Sequence, residues 1–120
     1  MYKVMLVDDD YPVLEFLSES VNWEELGLSA PSLHMDGADA LAHAVADLPD
    51  ILVTDIGMPK MDGLQLIGKI KEMKPNVRVA ILSCHSQFEY ARQAMKLNVQ
   101  DYLLKESLDP AEFRKLLRQF

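Results

Sequence analysis

Ile51-Leu52-Val53-Thr54-Asp55-Ile56-Gly57-Met58-Pro59-Lys60-Met61-Asp62-Gly63 is the stretch on which the fold turns. Its first four residues are mostly apolar and β-branched and read as a buried strand, which ends in an aspartate. A loop over 57–61, punctuated by Gly57 and Pro59, follows. Leu64, Ile67, Ile70 and Met73 then recur at helical spacing. A strand, a polar residue at its end, a loop and an amphipathic helix make one β–α unit.

The same unit repeats on both sides. An apolar run over 2–7 ends in Asp8-Asp9-Asp10, and Pro12 stands where the first turn of a helix tolerates it, with Val13, Leu14, Leu17 and Val21 following at helical spacing. Trp23-Glu24-Glu25-Leu26-Gly27 reads as the end of that helix and a turn. Residues 28–35 form a weaker strand; Pro31 and two serines dilute it and suit an edge position. Asp36 is expected to cap a second helix running to about Leu48, with Ala38, Leu41, Ala42 and Val45 on its buried face.

A strand over 77–82 ends at Ser83, and Phe88, Ala91, Met95 and Leu97 mark a fourth helix. A fifth strand over 99–104 ends at Lys105. Asp109-Pro110 opens a fifth helix with Phe113, Leu116, Leu117 and Phe120 on its apolar side. Strands 1, 3, 4 and 5 are continuous apolar runs, as a parallel sheet covered on both faces requires. Right-handed crossovers then give a doubly wound α/β fold, five strands and five helices over residues 1–120 as one domain.

Composition narrows the class. Of 120 residues 49% are hydrophobic, enough for a core, and no apolar run is long enough to span a bilayer. The start of the chain lacks the apolar segment of a signal peptide. Cys84 is the one cysteine, so no internal disulfide forms. A cytoplasmic location is expected from these features. The formal net charge of -7 repels phosphate backbones and anionic membranes, so neither nucleic acid nor membrane is expected as a direct partner of this segment.

In doubly wound sheets the active groups lie at the carboxyl ends of the strands. Here those ends deliver Asp8, Asp9 and Asp10, then Asp55, Ser83 and Lys105, to one edge. Carboxylates packed together repel and raise one another's pKa values, and a hard divalent cation relieves this. Magnesium takes oxygen ligands, and no paired histidines or cysteines favour zinc or copper. An acid cluster, a hydroxyl and a lysine suit phosphoryl transfer, in which positioning and charge neutralisation do most of the work and a carboxylate can be the nucleophile. One of the three N-terminal aspartates, Asp10, is expected to cap the first helix.

With these residues in place the sequence resembles the receiver domains of two-component response regulators, over essentially the whole chain. The resemblance rests on Asp8-Asp9, on Asp55 through Gly63, on Ser83 and on Tyr102-Leu103-Leu104-Lys105. It implies a flavodoxin-like receiver topology with strand order 2-1-3-4-5. It implies that Asp55 is the phosphoacceptor for a sensor histidine kinase. Asp9, Asp55 and the carbonyl of Gly57 would bind Mg2+ directly and Asp8 through water. Lys105 would pair with Asp55 and then with its phosphoryl group. Ser83 would bond a phosphoryl oxygen and Tyr102 would change rotamer, remodelling the face of the fourth helix, fifth strand and fifth helix, where receivers dimerise or meet partners. The domain would catalyse only its own phosphorylation and slow dephosphorylation, and so is not an enzyme in the turnover sense. The segments 23–27 and Phe88-Glu89-Tyr90-Ala91 further resemble receivers that precede AraC-type DNA-binding domains, so a transcriptional output domain is expected outside this chain.

Two departures from the family pattern matter. Glu106 follows Lys105 where the family has a proline in a cis bond; before a non-proline residue a cis bond costs about 2.5–4 kcal/mol, so a trans bond is expected, with the Lys105 loop free to reposition. Gly57 and His85 occupy the positions at which the family tunes dephosphorylation. Three other readings compete. Asp8-Asp9-Asp10 contains the Asp-x-Asp of haloacid-dehalogenase-type phosphatases, a reading that leaves 55–63 unexplained. A binding module without phosphorylation would not need both Asp55 and Lys105. A flavin-binding protein would carry hydroxyls and glycine, not aspartates, in its first loop. His34 and His43 share no ligand spacing with His85 or each other, and Cys84 is expected to pack.

Overall fold

The structure, a computed structural model, describes residues 1–58, 60–84 and 101–120, with Asp101 and Tyr102 described by backbone alone. Five parallel strands form one sheet in the order β2-β1-β3-β4-β5: β1 (Val4–Val7), β2 (Ser32–His34), β3 (Ile51–Asp55), β4 (Arg78–Ser83) and β5 (Asp101–Leu104). The helices described are α1 (Tyr11–Glu19), α2 (Gly37–Ala46), α3 (Gly63–Met73) and a C-terminal helix (Pro110–Arg118). The doubly wound fold and its strand order are therefore as the sequence implied. The fourth expected helix, with Phe88, Ala91, Met95 and Leu97, lies outside the described residues.

Strand alternation sorts the core into two layers. Val4, Leu6, Val53, Ala80 and Leu82 face α1 and the C-terminal helix, packing with Leu14, Leu17, Phe113, Leu116 and Leu117. Met5, Val7, Leu52, Val79 and Ile81 face α2 and α3, packing with Ala40, Ala44, Leu66, Ile67 and Ile70. Each fully buried side chain of this size contributes roughly 1.5–3 kcal/mol, so a one-residue slip that turned a strand over would forfeit a whole layer.

Several element ends differ from expectation for local reasons. The first strand is regular from Val4, and Tyr2 makes only an isolated parallel bridge to Leu28. β2 is shorter than 28–35 because Pro31 offers no N–H to the ladder. α1 ends at Glu19, before Val21, which is buried beyond the helix. Trp23 follows, its Nε1–H donating to the Ser18 carbonyl at 2.9 Å and its ring meeting Phe113 edge-on at 6.0 Å. Gly27, at φ 73°, closes the 3₁₀ turn Glu24–Leu26.

The buried face of α2 is a correction. Gly37, Ala40 and Ala44 are buried and Leu41 partly so, while Ala38, Ala42 and Val45 are exposed, Val45 at 67%. Alanines at every second position allow two registers in sequence. Close approach selects between them: a Cβ on Gly37 would lie 2.5 Å from the Met61 carbonyl oxygen. Asp36 caps the helix as expected, accepting from the Asp39 N–H at 2.7 Å.

Candidate functional site: an acidic pocket at the carboxyl edge

Register brings the site together. Val7 pairs with Thr54, so Asp8 and Asp55 come next on neighbouring strands; Asp55 pairs with Leu82, and Ser83 with Leu104, one residue before Lys105. Alternation then fixes the faces. Leu6, Val53 and Leu103 all belong to the layer of α1 and the C-terminal helix. Asp8, Asp55 and Lys105 stand two residues on from these and share their side of the sheet.

The side chains meet accordingly. Lys105 Nζ lies 2.9 Å from Asp8 Oδ2 and 3.2 Å from Asp55 Oδ2. Asp8 is fully buried and the Asp55 side chain is 3% exposed, whereas that of Lys105 keeps 21% exposure. Asp9 is exposed, yet one carboxylate oxygen each from Asp8, Asp9 and Asp55 lies within 4.8 Å of the others. Asp8 Oδ1 accepts from the Asp10 N–H at 2.9 Å, and the Asp8 N–H donates to the His34 carbonyl at 3.0 Å. The acid is thus pinned between the first loop and β2. Asp10 takes the N-cap position of α1, but its side chain makes no capping bond; its carbonyl accepts from Val13 and Leu14 instead.

Charge is out of balance in this hollow. Among the described residues three carboxylates face one ammonium. Burial pushes the Asp8 carboxyl up to about 6, opposed by the Asp10 N–H and Lys105 and assisted by the charge of Asp55. Burial also raises Asp55; Lys105 pulls it down and Asp9 adds to the rise. For Lys105, burial alone would favour loss of the proton, but the bond to Asp8 and the charge of Asp55 prevail and hold it charged. Asp55 Oδ1 is buried with no hydrogen-bond partner among the described residues. Such an orphaned oxygen is costly unless something meets it, and an oxygen-only donor set with surplus negative charge suits a hard divalent cation.

The loop after Asp55 is tightly held. The Ile56 N–H donates to the Leu82 carbonyl at 3.3 Å and the Gly63 N–H to the Ile56 carbonyl at 2.9 Å. A Cβ on Gly63 would sit 2.1 Å from the Asp55 carbonyl oxygen, so only glycine lets α3 start this close to the acid. Asp62 and Gln65 complete a capping box there at 2.9 and 3.1 Å. Lys60 adopts φ 68°, which turns the loop. Gly57 lies exposed just beyond Ile56. No cis peptide bond occurs among the described residues, so Lys105-Glu106 is trans, and Lys105 reaches both acids from it.

Ser83 is buried at the end of β4, one position past the partner of Asp55. Its alternation follows Ile81, so its side chain starts from the other layer and does not join Asp8, Asp55 and Lys105 through strand register. The Tyr102 side chain and His85 lie outside the described residues. Reading the sequence did not single out Thr54, whose hydroxyl donates to the Asp55 carbonyl at 2.9 Å, or the His34 carbonyl that holds Asp8. Both are β-strand residues with no distinguishing spacing. Away from the pocket, His34 Nδ1 lies 2.7 Å from Asp39 and its ring lies 4.8 Å from that of His43. The fold thus brings together two histidines that have no ligand spacing in sequence.

Comparison with known proteins points to one family. Residues 4–118 match the family described as the response regulator receiver domain. An uncharacterized transcriptional regulatory protein of Bacillus subtilis, YesN, is 42% identical over 105 residues, covering 88% of this chain and 28% of that protein. The transcriptional regulatory protein HptR of Staphylococcus aureus is 32% identical over 117 residues, covering 98% of this chain and 45% of that protein. The chain therefore spans less than half the length of these relatives. Among solved structures, the REC domain of AraT, a response regulator from Geobacillus stearothermophilus, superposes with a TM-score of 0.93 at 35% identity, covering 98% of this chain and 91% of that one. A two component transcriptional regulator AraC from Clostridium phytofermentans gives 0.90 at 31% identity, covering 99% and 92%. The chain belongs to the response regulator receiver domain family.

Proposed function

We propose that this domain is a phosphorylation switch in which Asp55 accepts a phosphoryl group from the phosphohistidine of a sensor kinase. The observation that carries the proposal is the state of the Asp55 carboxylate. Lys105 holds Oδ2 at 3.2 Å, Oδ1 has no hydrogen-bond partner among the described residues, and two further carboxylates stand within 4.8 Å. A carboxylate oxygen of Asp55 attacks phosphorus, the P–N bond to the kinase imidazole breaks, and an acyl phosphate forms as the imidazole leaves. Lys105 offsets the charge that builds on the phosphoryl oxygens.

The carboxylates of Asp8, Asp9 and Asp55 and the carbonyl of Gly57 would hold Mg2+, which when bound supplies the positive charge that lets an anionic donor approach three acids. Ser83, at the end of β4, would have to turn from the other side of the sheet to meet a phosphoryl oxygen once one is present. Tyr102 would report that change to the face of the fourth helix, β5 and the C-terminal helix, the proposed surface for dimerisation or output. Work in the cytoplasm and control of a transcriptional domain elsewhere in the longer protein belong to the same proposal. In this reading the domain turns over no external substrate beyond its own phosphorylation and slow dephosphorylation.

Incubation with a small phosphodonor such as acetyl phosphate and Mg2+, followed by intact-mass measurement, tests the proposal. The expected result is one added phosphoryl group, absent with Asp55→Asn and absent when the metal is chelated. An unchanged mass with a donor that phosphorylates another receiver in parallel would overturn it.

A further inference from the structure

Strand register sets His34 against α2. Val7 pairs with His34, and Val7 belongs to the layer that faces α2 and α3, so the His34 side chain stands on the α2 side of the sheet. On that helix Asp39 and His43 are four residues apart and share one face. The three side chains meet. His34 Nδ1 lies 2.7 Å from Asp39 Oδ2, and the rings of His34 and His43 lie 4.8 Å apart between centroids, tilted by 51°.

Burial gives the contact its chemistry. The His34 side chain is 7% exposed, whereas that of Asp39 is 65% exposed and His43 is exposed as well. A carboxylate only accepts, so Asp39 takes the Nδ1–H bond and the neutral ring keeps its lone pair on Nε2. That Nε2 is buried with no hydrogen-bond partner among the described residues. A buried polar atom left unmet is costly. A carboxylate on one imidazole nitrogen, with the other nitrogen bare, is how proteins orient a metal-ligating histidine and raise its basicity.

We propose that His34 Nε2 and a ring nitrogen of His43 bind one divalent transition cation of the Zn2+ kind, with Asp39 orienting His34 and water completing the shell. Imidazole nitrogen suits zinc, whereas magnesium takes oxygen. Asp39 is not itself a ligand, because its Oδ2 is spent on Nδ1. Among the described residues the set of three acids or histidines with ligand atoms within 4.8 Å is Asp8, Asp9 and Asp55, so this second site is a two-imidazole one with positions open to water. His43 is exposed, so its ring can turn to present a nitrogen to the shared ion. The site uses none of the residues of the phosphorylation reading and does not depend on it.

Zn2+ titration of the labelled chain in excess Mg2+, followed through imidazole nitrogen-15 shifts, provides the test. Saturable movement of His34 Nε2 and one His43 nitrogen at one equivalent is expected, with His34 Nδ1 keeping its proton. Asp39→Asn retains an oxygen acceptor but not the charge, and should weaken binding about tenfold or more. His43→Gln removes a ligand at an exposed position and should weaken it further. Both variants should keep the zinc-free melting temperature, which reports that the fold is intact. Absence of a saturable shift at His34, zinc shifts confined to His85 or to the acidic pocket, or undiminished binding by either folded variant would each overturn the proposal.

Discussion

Asp8 is a fully buried carboxylate, and its protonation should be visible in the stability of the metal-free domain. Its carboxyl is raised from 3.8 to about 6, chiefly by burial. The folded state therefore binds a proton more tightly than the unfolded chain, and this contribution is fully present below pH 3.8 and is lost as pH rises through about 6. The size is roughly 3 kcal/mol. Urea unfolding in chelator from acid to neutral pH should show that loss, and Asp8→Asn should flatten it while raising stability at neutral pH by about 1–3 kcal/mol. Lys105 acts in the opposite sense. Removing it with Lys105→Ala leaves Asp8 and Asp55 facing each other without a cation, at a cost of about 3 kcal/mol at neutral pH. That cost should shrink near pH 5, where Asp8 is protonated; a cost independent of pH would contradict the ion pairs seen here.

At the scale of elements, α3 is anchored by the glycine at its start. Gly63→Ala places a methyl 2.1 Å from the Asp55 carbonyl oxygen, so loop or helix must move. Overpacking of this kind costs about 1–3 kcal/mol, and because the displaced group is the peptide of Asp55, phosphorylation should fall as well. Gly68, on the same helix, has open space around its Cβ position. Gly68→Ala should stabilise the fold by about 0.5–1 kcal/mol and leave phosphorylation unchanged. Thermal melts of the two variants with the phosphorylation assay separate a steric constraint from a general dislike of alanine. Element identity was legible from sequence where apolar runs were strong, as in β1, β3, β4 and the C-terminal helix. The buried side of α2 was not, because its alternating alanines fit two registers and the choice rests on Gly37 meeting Met61. Likewise Asp10 marked the start of α1 correctly, but the backbone, not its carboxylate, makes the cap.

For the whole molecule, parallel strands turn distance in sequence into proximity at one edge. Asp8, Asp55 and Lys105 could be placed together from sequence because each ends an apolar strand, and parity then gives them a common face. What sequence could not supply was the lateral detail: an Asp55 Oδ1 with no hydrogen-bond partner among the described residues, the hold of the His34 carbonyl on Asp8, and the ring contact of His34 with His43. These depend on inter-strand register and helix docking, which no local pattern encodes. Because the pocket holds surplus negative charge, Mg2+ should raise the melting temperature at neutral pH, with a smaller effect near pH 5 where Asp8 is protonated, and with no effect in Asp9→Asn combined with Asp55→Asn. In the proposed switch the acyl phosphate forms on Asp55 and nowhere else. Borohydride reduction of the chain after treatment with acetyl phosphate and Mg2+ converts an aspartyl phosphate to homoserine, which peptide sequencing by mass spectrometry locates. Homoserine is expected at position 55 alone; homoserine at position 8 or 9, or at no aspartate, would overturn phosphorylation of Asp55.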